Sequence, residues 1–196
     1  MAGELFRSED ALGPVIVTDD GNYRMLAFAD NDMQSCCLKA APQVLQYEYT
    51  QAMLLVLLFC QPKRAWILGL GGGSLLTALH HHVPGIHITG VELRAAVIEV
   101  AYRYFQMPRG KRLPVIQQSA EAFLAAGGHR KVDVIFADLY HAEGVDQMQL
   151  QAEFITRCAG SLKPDGWLVL NCWTEHRENT ALLAALQAQF ADIRTV

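Results

Sequence analysis

The chain is expected to fold as an α/β protein, a mainly parallel sheet flanked by helices, with a small β-rich region in front. Three observations predict it. From residue 64 onward, short apolar runs alternate with amphipathic segments, the signature of strands and helices taking turns. One such unit reads as strand, glycine loop, helix, strand and acid: an apolar run at 65–70, then Gly69, Gly71, Gly72 and Gly73, an amphipathic segment, and a second apolar run closed by Glu92. Before the alternation begins, Asp20-Gly21-Asn22 separates two apolar-rich segments, as a hairpin requires.

In order, residues 15–19 and 23–28 are expected as that hairpin and 35–39 as a third short strand. This divides the chain into a small β region at 1–42 and an α/β domain at 43–196. After Pro42 the apolar pattern predicts a helix from Val44 to Phe59 or Cys60, ended by Gln61-Pro62-Lys63. Residues 65–70 lack polar alternation, which suits a parallel strand buried on both faces. Ser74 is the expected cap of a helix running to His82, and 87–91 is the second strand. A helix at 94–105, a strand at 115–118, a helix at 120–126 ended by Gly127-Gly128 and a strand at 132–137 follow. Residues 138–147 read as a polar loop and 148–159 as a helix. Lys163-Pro164-Asp165-Gly166 turns the chain into a strand at 167–171. A last helix at 178–190 leads to 193–196, which should begin a sixth strand. A sheet edge left open there favours pairing with a second copy, as a homodimer.

Composition narrows the function. With 52% hydrophobic and 18% charged residues the chain describes a packed globular protein. A formal net charge of −4 gives no pull toward nucleic acid or an anionic membrane. The five cysteines form no C-x-x-C pair and read as reduced thiols in the cytoplasm. There is no apolar leader, and the longest apolar run, 52–60, is less than half of a membrane span. His80, His81 and His82 are consecutive on a helix and splay by about 100° each, so they cannot converge on one ion. No metal is expected; histidines there suit the negative end of the helix.

In an open parallel sheet the ligand sits beyond the carboxyl ends of the strands. Those ends carry the glycine loop from Gly69 to Gly73, Glu92, Gln118 to Glu121, Asp138 and Asn171. Glu92 is placed to hold a ribose and Ser119 to Glu121 an adenine, Ser119 and Ala120 first among them, with Asp138 at the reacting end. A carboxylate there can orient an amine and accept its proton, because an ammonium has no lone pair with which to attack. Tyr140 and His141 follow in the same loop, and the histidine can share proton transfer near neutral pH.

The order Tyr47-Glu48-Tyr49-Thr50-Gln51-Ala52-Met53, Gly69-Leu70-Gly71-Gly72-Gly73, Val91-Glu92, Val132 through Asp138, and Leu162-Lys163-Pro164-Asp165-Gly166 resembles the spermidine synthase family. The resemblance implies a Rossmann-like class I methyltransferase fold with a small N-terminal β region and a C-terminal hairpin left incomplete. It implies decarboxylated S-adenosylmethionine or S-adenosylmethionine as ligand, without a metal. It places Gln51 on the nucleoside's side arm, Glu92 on its ribose and Asp138 as the catalytic aspartate. Three positions depart from the family pattern: Gly72 stands where the glycine loop carries an aspartate, Ser119-Ala120 replaces Asp-Gly or Asp-Ala, and His141 replaces the second acid of Asp-x-x-Asp. Losing a carboxylate at Gly72 removes repulsion against a substrate carboxylate and favours the intact cofactor.

Three readings follow. The leading one is aminopropyl transfer from decarboxylated S-adenosylmethionine to a polyamine. The others are methyl transfer from S-adenosylmethionine and a nucleoside-binding protein without catalysis. A nicotinamide-dependent dehydrogenase is weaker, because Ser74 takes the third-glycine position and no second mononucleotide-binding half is evident.

Overall fold

A computed structural model describes residues 3–30, 32–141, 144–172 and 179–196. The core is a parallel sheet of five strands: β5 (Arg64–Leu68), β6 (His87–Glu92), β7 (Val115–Gln117), β8 (Val132–Ala137) and β11 (Leu162–Leu170), in the order β11-β8-β5-β6-β7. The order reverses beside β5, the strand that leads into the glycine loop, so the ends of β5, β6 and β8 surround one crevice. Both faces of β5 are buried. Ala65 and Ile67 pack with α2 (Ser74–His82), whereas Trp66 and Leu68 pack with α4 (Ala120–Ala126) and α5 (Ala152–Ser161). That is why the run shows no polar alternation.

Ahead of the sheet lies an antiparallel meander: β1 (Gly3–Asp10), β2 (Gly13–Asp20), β3 (Tyr23–Ala29) and β4 (Asp32–Leu38). The Asp20-Gly21-Asn22 turn joins β2 to β3 as expected. β1 was not expected: its sequence is charged, and its side chains are largely exposed, as suits an edge strand. Val15, Val17, Leu26, Phe28 and Cys37 seat the meander on Val97, Val100 and Phe105, in and just after α3 (Ala95–Arg103).

Several boundaries differ from expectation. The helix after Pro42 starts only at α1 (Glu48–Met53), because Leu45 is buried in a bridge to Cys37, and it tightens into a 3₁₀ turn at Leu54–Leu58. Five apolar residues in a row give that segment no single face to bury, and Leu58 stays 76% exposed. Ser74 does not cap α2. Gly73 is the N-cap, at φ 74°, and there is no side-chain cap bond. The polar loop after β8 contains a short ribbon, β9 (Tyr140–His141) with β10 (Gly144–Val145), and a 3₁₀ turn at Gln147–Leu150 precedes α5. Residues 163–166 form a bulge within β11. The last helix is α6 (Thr180–Gln189); residue 178 of the expected helix lies outside the described residues. Residues 193–196 form no strand. Instead Arg194 lies 4.3 Å over the Phe59 ring, which stacks on Trp167 of β11. Among the described residues no helix is long and apolar enough to cross a membrane.

Candidate functional site

One cleft opens at the switch point, between the carboxyl ends of the strands and the meander. Its floor is the glycine loop, whose backbone donors are already in use. The Gly69 amide bonds the Val91 carbonyl at 2.9 Å and that of Gly73 bonds the Leu70 carbonyl at 2.9 Å. The Leu70 amide donates to Glu92 Oε2 at 3.0 Å, and Gly71 also donates to this carboxylate. The Gly72 amide donates to Ser35 Oγ, 2.9 Å away on β4. A loop built to cradle phosphate keeps such amides open. Here a carboxylate and a hydroxyl occupy them.

Glu92 thus spans two segments, since Oε1 accepts from the Arg94 amide at 2.9 Å. Burial pushes its carboxyl up, and the amides of Arg94, Leu70, Gly71 and Leu93 pull it back down. Arg94 is the one basic side chain among the described residues lining the cleft, and it is neutralised: Nε donates to Asp10 Oδ2 at 2.9 Å.

At the other end of the cleft Asp138 follows β8. Asn171 donates to its Oδ1 at 2.8 Å, and the Tyr49 hydroxyl is hydrogen-bonded to the same carboxylate. Burial outweighs both bonds and pushes the Asp138 carboxyl up to about 6. Burial, reinforced by the charge of Asp138, pushes the Tyr49 and Tyr140 hydroxyls up, so both remain neutral donors near pH 7. Gln149, wholly buried, holds this end together: Oε1 accepts from the Leu139 amide, while Nε2 donates to the carbonyls of Leu139 and Asn171 at 3.2 and 3.1 Å.

Of the residues expected at the site, Gly69, Gly71, Glu92, Ser119, Ala120, Asp138 and Tyr140 line the cleft. Gly72 and Gly73 do not. A Cβ on Gly72 would stand 2.8 Å from the Phe105 ring, and one on Gly73 would stand 2.5 Å from Met107 Sδ, so both face the core behind the loop. Gln51 is also off the cleft, exposed, with its amide donating to the Leu45 carbonyl at 2.9 Å. Ser119 spends its hydroxyl capping α4 through the Ala122 amide. The side chain of His141 and residues 142–143 lie outside the described residues. Sequence reasoning missed Ser35, Arg94 and Gln149 as site residues, and gave Tyr49 no role beyond the resembling stretch at 47–53. A serine in a strand, an arginine opening a helix and a glutamine before one carry no local mark of where they dock. Among the described residues no group of three His, Cys, Asp or Glu is placed to hold a metal.

A family model described as spermine/spermidine synthase domain matches residues 47–195. A polyamine aminopropyltransferase of Neisseria meningitidis is 27% identical over 177 residues, which cover 89% of this chain and 67% of the relative. The crystal structure of a probable spermidine synthase from Corynebacterium glutamicum matches with a TM-score of 0.81 at 22% identity, over 97% of this chain and 71% of that one. Human Methyltransferase-like protein 13, solved in complex with SAH, matches with a TM-score of 0.61 at 25% identity, over 73% of each chain.

Proposed function

Because the chain belongs to the spermine/spermidine synthase domain family, we propose that its cleft binds an S-adenosylmethionine-type nucleoside and that its activity is aminopropyl transfer from decarboxylated S-adenosylmethionine to a polyamine. The observation that carries this reading is the occupied glycine loop. Glu92 and Ser35 take up the Leu70, Gly71 and Gly72 amides that a pyrophosphate would use, and the one basic side chain among the described residues lining the cleft is spent on Asp10. The site therefore suits a ligand that carries ribose hydroxyls and no phosphate, and it opposes the nicotinamide alternative.

The charged Glu92 carboxylate accepts hydrogen bonds from the ribose hydroxyls. Ala120 and the turn at Ser119 flank the base, and Asp138 lies at the reacting end. Bound decarboxylated S-adenosylmethionine supplies a carbon made electrophilic by its sulfonium, so that the new C–N bond replaces the C–S bond and methylthioadenosine is the leaving group. The chain supplies the base: Asp138 orients the acceptor amine and takes the proton that the nitrogen sheds, while Asn171 and Tyr49 fix the carboxylate and stabilise its charged form. Tyr140 borders the same end as a neutral hydroxyl.

One observation favours methyl transfer from the intact cofactor as a second reading. The likeness to human Methyltransferase-like protein 13, solved in complex with SAH, supports it. Calorimetry with methylthioadenosine, decarboxylated S-adenosylmethionine, S-adenosylmethionine and a nicotinamide dinucleotide separates the readings. The decarboxylated donor should bind more tightly than the intact one, and the dinucleotide should not bind. Preference for the intact donor would select methyl transfer. Glu92→Gln should weaken the nucleosides by about 1–3 kcal/mol, since a ribose hydroxyl loses its charged acceptor. Unchanged affinity would place the ribose elsewhere.

A further inference from the structure

The two-residue turn between β1 and β2 brings Leu12 to the wall of the cleft, where its side chain is 45% exposed. A leucine left that open at a surface turn is unremarkable alone. Its anchoring is not. Asp10 Oδ1 accepts from the Leu12 amide at 2.8 Å, and Asp10 Oδ2 accepts from Arg94 Nε at 2.9 Å. Arg94 Nη2 adds bonds to the carbonyls of Gly13 and Pro14 at 2.5 and 3.2 Å, and its guanidinium lies 4.7 Å over the Phe28 ring. Arg94 is 7% exposed, and its own amide donates to Glu92. An unbroken chain of contacts thus runs from the turn tip to the carboxylate at the glycine loop. Burying a guanidinium is costly, so a turn pinned by four bonds and a ring contact is held to one position.

We propose that Leu12 is a ligand-covering residue: it packs on the nucleoside at the Glu92 end of the cleft, and the Asp10–Arg94 pair positions it there. This rests on the nucleoside reading above and adds to it a binding residue supplied by the meander. The α/β sheet provides the polar floor, and the turn provides an apolar cover. Its target is the uncharged face of the base and ribose. The side chain covers its open half only when ligand fills the cleft.

Calorimetry with methylthioadenosine on the full chain tests this. Leu12→Ala should raise Kd about 5- to 10-fold, the worth of roughly half a leucine's burial, while lowering the melting temperature no more than the Leu5→Ala control does. Leu5→Ala, an equally exposed leucine on β1 (43%), serves as the control and should leave Kd unchanged. Bound methylthioadenosine should also slow amide hydrogen exchange at Leu12 and Gly13. If Leu12→Ala binds like the wild type while Glu92→Gln binds weakly, the cover is wrong and the nucleoside reading stands. If the wild-type chain binds no methylthioadenosine, both fall together.

Discussion

Asp138→Asn should lower turnover by about 10²- to 10⁴-fold, the usual worth of a positioned general base, while nucleoside affinity stays within about twofold. Asparagine keeps the shape and can still accept from Asn171, so the loss reports the missing charge and not a collapsed site. The wild-type rate should rise with pH through about 6, the value to which burial pushes this carboxyl, because the base works only when ionised. The same shift reverses sign in stability. A carboxyl whose folded pKa lies above its ordinary 3.8 favours the protonated fold, so wild-type stability falls as pH rises from about 4 through 6. Asparagine carries no such penalty. The variant should therefore melt above the wild type at pH 7.5, and the gap should close below pH 4. An inactive variant that melts lower at neutral pH would mean that Asp138 is held for structure and not for its charge.

The parallel sheet, the glycine loop, Glu92 and Asp138 were legible because each leaves a mark within a few neighbours: an unbroken apolar run, clustered glycines, an acid at a strand end. The remainder depends on distant segments meeting. Ser35 reaches Gly72 across 37 positions, and Arg94 reaches Asp10 across 84, so no local pattern announces either bond. Gln149 looks like one more polar residue in a loop until its amide is found buried between Leu139 and Asn171. The three expected site residues that lie off the cleft lining share a cause. Gly72, Gly73 and Gln51 were assigned to the ligand by likeness of motif, whereas the loop's tight turn swings the two glycines toward Phe105 and Met107, and the late start of α1 leaves Gln51 bonded to Leu45. Gly72 was expected to be informative for the carboxylate it lacks. It now matters also for its packing, since the space where a side chain would stand is already filled.

Gly69→Ala should cost about 3 kcal/mol or more, lowering the melting temperature by about 6–12 °C for a chain of this length, and should impair turnover beyond what the lost stability explains. Two effects add. Gly69 sits at φ +88°, where a side chain is strained by about 1–2 kcal/mol. Its Cβ would also stand 2.2 Å from the Asp138 carbonyl oxygen and 2.9 Å from the carbonyl carbon, a collision with backbone that no rotamer relieves. Asp138 is tied to the neighbouring strand by its amide on the Leu68 carbonyl at 2.9 Å, so the end of β8 must move outward and take the carboxylate away from Asn171. A displacement near 1 Å at the reacting group is worth about 10²-fold in rate. Gly85 provides the comparison. Its φ is +83°, yet nothing lies within 4 Å of its would-be Cβ, so Gly85→Ala carries the backbone strain alone, about 1–2 kcal/mol, and should leave turnover untouched. Urea unfolding of the two variants side by side measures the difference. Equal costs would show that the glycine loop yields to the methyl group, and that the close approach of β5 to β8 does not set the position of Asp138.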